Sequence, residues 1–384
     1  MLLMLFILFI CVRPFSRRLY RRLAANIAVS SFLDAMALIL PNTRICLTPE
    51  SDIFSPFGTS ILVCNHSLQG LDWWVLMMLG RCMNLHGSIR IFMKRKVSGG
   101  TCEYRQYPPL NILTQMLEYP LLPSMHDKDY VQDRSGLLQL LCGFSEESCC
   151  NGGYTSGNNP AHFLLFPDCT DYNGNMAEVS KREGRPQLRH LNLPRSTGLN
   201  ASLESLRPSS PVVYDITMAH VGYNGKIENT DCDPWTLFWR LVTDTIPEIH
   251  IRIKRKDMED VLQDSNWLDK CWAEKDRILE HFYRHQCFPR SGSNKQYRIF
   301  DTKYLGVESS LVALFRLMMM PILVPIFLVV SIPLAWTVGW FWLAYQAYIL
   351  LFDREANTNL YKDNSGLATP FVPATPFVSP IAHQ

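Results

Sequence analysis

The chain has 384 residues, a formal net charge of +2, 47% hydrophobic residues and only 19% charged ones. An aromatic share of 11% excludes wholesale disorder; the near-neutral balance argues against a nucleic-acid protein, and the low charged share points to surface that does not face water. Twelve cysteines with no CxxC pair argue against a disulfide scaffold or a zinc cage, so reduced thiols used as small apolar residues, and no metal, are expected.

In chain order, the first feature is MLLMLFILFICV at residues 1–12, followed by Arg13, Arg17, Arg18, Arg21 and Arg22. A signal peptide has its charge before the apolar run; charge after it predicts an uncleaved anchor with the arginines on the cytoplasmic side. The stretch Ala24 to Leu40 contains Asn26 and Asp34, and is expected to lie in the interface. Residues 1–41 thus read as a membrane anchor with an interfacial helix.

Residues 42–310 alternate short apolar runs with helical patterns. Ile61–Cys64, Phe163–Phe166 and Pro211–Ala219 read as buried strands. Ile249, Ile251 and Ile253 alternate with His250, Arg252 and Lys254, a half-exposed strand. Leu71–Leu79 and Asp257–Tyr283 read as helices. Strands separated by helices predict an α/β domain with a mostly parallel sheet, flanked by N- and C-terminal membrane helices. Residues 144–160 (FSEESCCNGGYTSGNNP) read as a surface loop.

From Leu317 to Phe352 the chain carries no charge for thirty-six residues, interrupted by Pro321, Pro325, Pro333 and Gly339. A span needs about 20 residues, so residues 311–352 predict a membrane hairpin, with one kinked helix as the alternative. The tail, residues 353–384, carries ATPFVPATPFVSP and is expected to be disordered.

After the first buried strand the sequence reads Cys64-Asn65-His66-Ser67-Leu68-Gln69-Gly70-Leu71-Asp72-Trp73-Trp74. A histidine at a strand end, with a carboxylate at the next helix start, can form a base–orienter pair: the carboxylate fixes the tautomer and the other ring nitrogen takes a proton. By spacing alone, a helix cap at Asp72 and a surface histidine remain the alternative.

CNHSLQGLDWW resembles the N-H-x4-D motif of the glycerolipid acyltransferases, the lysophosphatidic acid acyltransferase family. Val12-Arg13-Pro14-Phe15-Ser16, Phe166-Pro167-Asp168-Cys169-Thr170-Asp171, Leu193-Pro194-Arg195-Ser196-Thr197-Gly198, Val213-Tyr214-Asp215-Ile216-Thr217-Met218-Ala219 and Trp272-Ala273-Glu274-Lys275-Asp276 resemble further segments of that family, in its order. The pattern is most similar to the branch that includes lysocardiolipin and plant lysophosphatidic acid acyltransferases.

The resemblance implies direct acyl transfer from acyl-CoA, a co-substrate, to a lysophospholipid hydroxyl at a bilayer. His66 would be the general base and Asp72 its orienter; no cofactor, metal or nucleic acid is implied. Asp168, Cys169 and Thr170 would contact substrate.

Three departures stand out. Five residues separate His66 from Asp72 where the family has four. Asp168-Cys169-Thr170 replaces E-G-T. Ser124 falls where the family carries an arginine. The cation for the lipid phosphate is therefore expected from Arg195, Lys94 and Lys96, with the two lysines on one face of a strand. The departures leave an alternative, a catalytically degenerate relative that binds lipid or a partner at the membrane, and a third reading, a transferase with a different donor or acceptor. The expected location is the endoplasmic reticulum membrane, with more than one pass.

Overall fold

The computed structural model describes residues 2–68, 71–85, 87–94, 97–98, 101–102, 108–122, 130–149, 161–167, 176–226, 234–243, 248–289 and 296–303, and short helical pieces between 329 and 344. The chain divides into two compact units, Met1–Leu317 and Met318–Gln384. In the first, the strands are β1 Arg44–Leu47, β2 Thr59–Cys64, β3 Ile89–Ile91, β4 Met93–Lys94, β5 Val97–Ser98, β6 Thr101–Cys102, β7 Leu121–Leu122, β8 Ala161–Leu165, β9 Val212–His220, β10 Ile249–Lys256 and β11 Arg298–Asp301. The helices are α1 Leu2–Cys11, α2 Arg17–Leu23, a π segment Ala24–Val29, α3 Ser30–Ile39, α4 Asp72–Cys82, α5 Pro108–Met116, α6 Tyr130–Cys149, α7 Met176–Glu183, α8 Thr197–Leu206, α9 Pro234–Thr243, α10 Met258–Gln263 and α11 Trp267–His285.

The α/β expectation holds. Seven strands form one sheet in the order β11-β1-β10-β9-β2-β8-β3. The pairs β1/β10, β9/β2, β2/β8 and β8/β3 are parallel; β9/β10 and β1/β11 are antiparallel. In β2 and β8 every residue is buried, as central strands covered on both faces require. Period-two alternation sends Leu62 and Cys64 into one core layer with α3 and α4, and Ile61 and Val63 into the other with α6, α8 and α11. The result is a sheet with helices on both faces.

Some boundaries move. The expected helix over 257–283 is two helices, broken at Asp264-Ser265-Asn266. Residues 144–149 of the expected loop extend α6; the rest of it lies outside the described residues. Along β10 the isoleucines are buried as expected, but His250 is buried too, because Phe282, Phe288 and Tyr297 cover it.

The N-terminal segment differs most from its expectation. Among the described residues, no helix is long and apolar enough to cross a membrane. At 10 residues, α1 rises only about 15 Å, and its Leu5 is fully buried in the domain core. The arginines are not one exposed cluster. Arg21 is buried, 2.5 Å from Glu118 Oε2 and 3.7 Å from the centre of the Phe144 ring. Arg13 reaches the other Glu118 oxygen at 3.3 Å. Arg17, Arg18 and Arg22 are exposed. Glu118 follows α5 in the left-handed region, at φ +52°, and the Tyr119 N–H closes back on the Thr114 carbonyl at 3.0 Å. Asp34, expected in the interface, is buried against Arg81 at 2.9 Å. Gly87 permits this docking: a Cβ there would lie 2.4 Å from the Ala25 carbonyl oxygen. Of the expected hairpin and tail, 311–352 and 353–384, only the pieces between 329 and 344 are described.

One buried histidine makes stability pH-dependent. His162 in β8 receives or gives one hydrogen bond, to Ser60 Oγ at 2.5 Å, and its Nε2 is buried without a partner. Burial, with repulsion from Arg90, pushes its pKa from 6.5 down to about 4. Between those values the unfolded chain binds a proton that the folded chain refuses. Stability is therefore full above pH 6.5 and falls as pH drops toward 4, by about 3 kcal/mol from this group. Unfolding measured from pH 7 to 4 should show this slope, and His162→Gln should flatten it; an unchanged slope in the variant would reject the assignment.

Candidate active site

The candidate site lies at the carboxyl end of β2. There the chain leaves the sheet through Asn65 and His66 and enters α4 at Asp72. His66 Nδ1 lies 2.9 Å from Asp72 Oδ2. The other oxygen, Oδ1, accepts the Ser67 N–H at 2.7 Å and the Leu68 N–H at 2.8 Å. Asp72 is fully buried, so three donors satisfy a carboxylate that water does not reach. Its place in the first turn of α4 adds the favourable end of the helix dipole. The extra residue relative to the N-H-x4-D spacing lies in the segment before the helix. The two side chains do not share a helix, so no rotation separates them.

His66 is held on three sides. Its ring stacks on Phe166, with centroids 4.4 Å apart and planes 12° from parallel. Its neighbour Asn65 clips the loop to β9: Asn65 Nδ2 donates to the Met218 carbonyl and Oδ1 accepts the Met218 N–H, both at 2.9 Å. Ser67 Oγ lies 3.2 Å from His220 Nδ1. A small cleft opens beside the ring, lined by Asn65, His66, Ser67, His190, Tyr223 and Lys226 among others.

The segments that carry the family resemblance meet around this point. Phe166 supports His66, and the following Pro167 carbonyl accepts the Arg195 N–H at 2.9 Å. Gly198 of the same PRSTG run packs where a Cβ would sit 2.9 Å from Leu122 and 3.0 Å from Leu165 side-chain carbons. In α11, Lys275 is buried and pairs with Asp215 of β9 at 2.6 Å. Its ammonium also donates to the Val63 carbonyl at 3.2 Å and to the Ile216 carbonyl. Burial alone would lower its pKa; Asp215, aided by Cys271 and Cys64, overrides this and raises it. Asp276 Oδ1 accepts the N–H groups of Arg189 and His190, at 3.0 and 2.7 Å, and so fixes one wall of the cleft.

Of the expected substrate contacts, Arg195 is exposed and lies outside the cleft lining; among the described residues, the exposed Lys226 is a lysine that lines it. Lys94 ends β4, paired with Leu122. Lys96, Asp168, Cys169 and Thr170 lie outside the described residues, as does Ser124. Asn65, Phe166, His220 and Lys226 also surround the site, without having been expected there from the sequence. Asn65 and Phe166 stood inside quoted motifs; nothing in the local sequence marks His220 or Lys226.

An α/β sheet that presents a histidine–carboxylate pair at a strand end has an arrangement suited to general-base chemistry. Residues 241–315 match the family described as Acyltransferase C-terminus. The chain is 30% identical over 301 residues to 1-acyl-sn-glycerol-3-phosphate acyltransferase delta of Mus musculus, covering 72% of this chain and 68% of that protein. It belongs to the glycerolipid acyltransferase family. It is also 26% identical over 256 residues to 2-acyl-1-lysophosphatidylinositol acyltransferase of Saccharomyces cerevisiae, and 26% identical over 252 residues to probable 1-acyl-sn-glycerol-3-phosphate acyltransferase 5 of Arabidopsis thaliana. These matches cover 59% and 63% of this chain, and span 62% and 58% of those two proteins.

Proposed function

We propose that the chain transfers an acyl group from acyl-CoA to the hydroxyl of a lysophospholipid, with His66 as general base and Asp72 as its orienter. The observation that carries this reading is the 2.9 Å contact of His66 Nδ1 with a buried carboxylate whose other oxygen is already occupied by two backbone donors. With Nδ1–H held by Asp72, Nε2 takes the hydroxyl proton as the alkoxide oxygen attacks the thioester carbonyl carbon. The tetrahedral intermediate collapses, the C–S bond breaks, and the imidazolium returns the proton to the departing CoA sulfur. The products are acylated phospholipid and CoA with a free thiol. The thioester is already activated, so no acyl-enzyme is needed. The ordered His66–Asp72 pair favours this reading over the degenerate alternative.

The same proposal places the protein at a membrane, that of the endoplasmic reticulum. Phe15 is 89% exposed. Phe6, Leu19, Ile27 and Leu38 of the N-terminal helices are also exposed, on segments that carry the exposed Arg17, Arg18 and Arg22. Apolar side chains beside arginines suit an interfacial position.

Incubating membranes that contain the protein with labelled acyl-CoA and a panel of lysophospholipids tests the activity; no acyl transfer to any acceptor would end this reading. On the accepted lysolipid, Lys226→Ala should raise KM for the acceptor more than for acyl-CoA, since an ammonium beside the base suits the lipid phosphate. Arg195→Ala carries the same expectation if its side chain serves that phosphate. An effect of either on acyl-CoA alone would assign that residue to the donor.

A further inference from the structure

A second cluster of reactive side chains lies at the β1/β10 junction, away from the His66 cleft. Parallel pairing sets Cys46 directly opposite His250. Glu248, just before β10, turns back over its second neighbour: its Oε1 lies 3.2 Å from His250 Nε2. One ligand atom from each of Cys46, Glu248 and His250 lies within 4.8 Å of the other two. Cys46 and His250 are buried, at 3% and 8% exposure, and Glu248 is half-buried. The rings of Phe282, Phe288 and Tyr297 wall the imidazole, with centroids 5.3, 6.4 and 5.7 Å away.

The ring nitrogen that faces the cluster is Nε2, beside Glu248; the other, Nδ1, is buried without a hydrogen-bond partner. Glu248 joins the cluster to the surface: Arg44 Nη1 lies 3.3 Å from its Oε2, and the Cys46 thiol hydrogen-bonds to its carboxylate.

We propose that Cys46, Glu248 and His250 form a binding site for a divalent d-block cation of the zinc class. A thiolate with an imidazole selects such an ion over magnesium or calcium, which prefer oxygen donors. Thiolate and carboxylate together carry two negative charges, which a dication neutralises. Ligands about 2.0–2.1 Å from a tetrahedral ion stand about 3.3 Å apart. The Glu248–His250 separation already has that value, so only the Cys46 sulfur needs to close in. Binding converts the Cys46 thiol to a metal-bound thiolate and releases one proton to solvent, with no change of oxidation state. Three protein ligands leave the fourth position to water. The ion would clip β1, with β11 paired on its outer edge, to β10, independently of the acyl-transfer reading.

The test uses the full-length chain, stripped with a chelator and titrated with cobalt(II) as a spectroscopic probe. The wild type should bind about one equivalent with a thiolate-to-cobalt charge-transfer band, and zinc should raise its melting temperature. Cys46→Ser and His250→Gln should both lose the band and the zinc-dependent shift while keeping the far-ultraviolet circular dichroism of the fold. Should Cys46→Ser fail to fold, His250→Gln decides. No stoichiometric cobalt in the wild type overturns the site; a band that survives in His250→Gln overturns it too, since the metal would then sit on other thiols.

Discussion

Replacing His66 with alanine is expected to lower the acyl-transfer rate by about 10²–10⁴-fold, the usual size of a general-base contribution. That corresponds to about 3–5 kcal/mol of transition-state stabilisation. The geometry says where the loss should fall. His66 Nδ1 is engaged by Asp72, and the ring rests on Phe166; in the proposed mechanism the other nitrogen would act on the acceptor hydroxyl rather than on bound acyl-CoA. Turnover should fall while acyl-CoA binding stays nearly unchanged. Asp72→Asn keeps the shape but removes the charge that the imidazolium faces during the reaction, so it should also slow turnover. It further turns one carboxylate oxygen into an NH2 group facing donors, so a modest loss of stability should accompany it. Steady-state kinetics on membranes with matched protein levels reads both effects. Unchanged turnover in His66→Ala would remove the base from the mechanism.

Replacing Lys275 with methionine is expected to destabilise the fold by about 3–5 kcal/mol, the cost of leaving one partner of a buried ion pair uncompensated. Lys275 is 1% exposed and Asp215 8%. Removing the ammonium orphans that carboxylate and takes a donor from the Val63 and Ile216 carbonyls. Total stabilities are only 5–15 kcal/mol, so the melting temperature should fall by on the order of 10 °C. The lysine pKa is raised in the fold, so the lysine's own contribution to stability is complete below 10.5 and is lost as pH rises through the folded value. Adding Asp215→Leu to Lys275→Met should recover much of the loss, because the charge left unpaired is then gone. A single-variant loss below about 1 kcal/mol would contradict the buried-pair account. Val63 lies three residues before His66, so some loss of turnover should accompany the lost stability.

The sequence by itself determined the sheet-forming runs and the candidate base. Within the fully buried strands Thr59–Cys64 and Ala161–Leu165, the apolar runs Ile61–Cys64 and Phe163–Leu165 mark cover on both faces, and that signal is local. The isoleucine alternation of β10 is local too, and so is the His66–Asp72 spacing at a strand-to-helix junction. The ordered motifs pointed to the family before any contact was known.

Only the tertiary structure decided what lies across the chain. That Asp72 also binds two backbone N–H groups, that Asn65 clips to Met218 and that Lys275 sits under β2 are facts of long-range packing. Hydropathy did not reveal that the N-terminal apolar run sends Leu5 into the domain core, because such a run reads alike whether lipid or a protein core receives it. Arg21 and Asp34 look like surface charges in sequence; Glu118 and Arg81, brought in by other helices, bury them. Cys46 and His250, far apart in the chain, meet only through strand register. Periodicity fixes which face a residue takes within its own element, whereas the partner that neutralises a buried charge arrives from a distant segment, and only the completed sheet brings the two together.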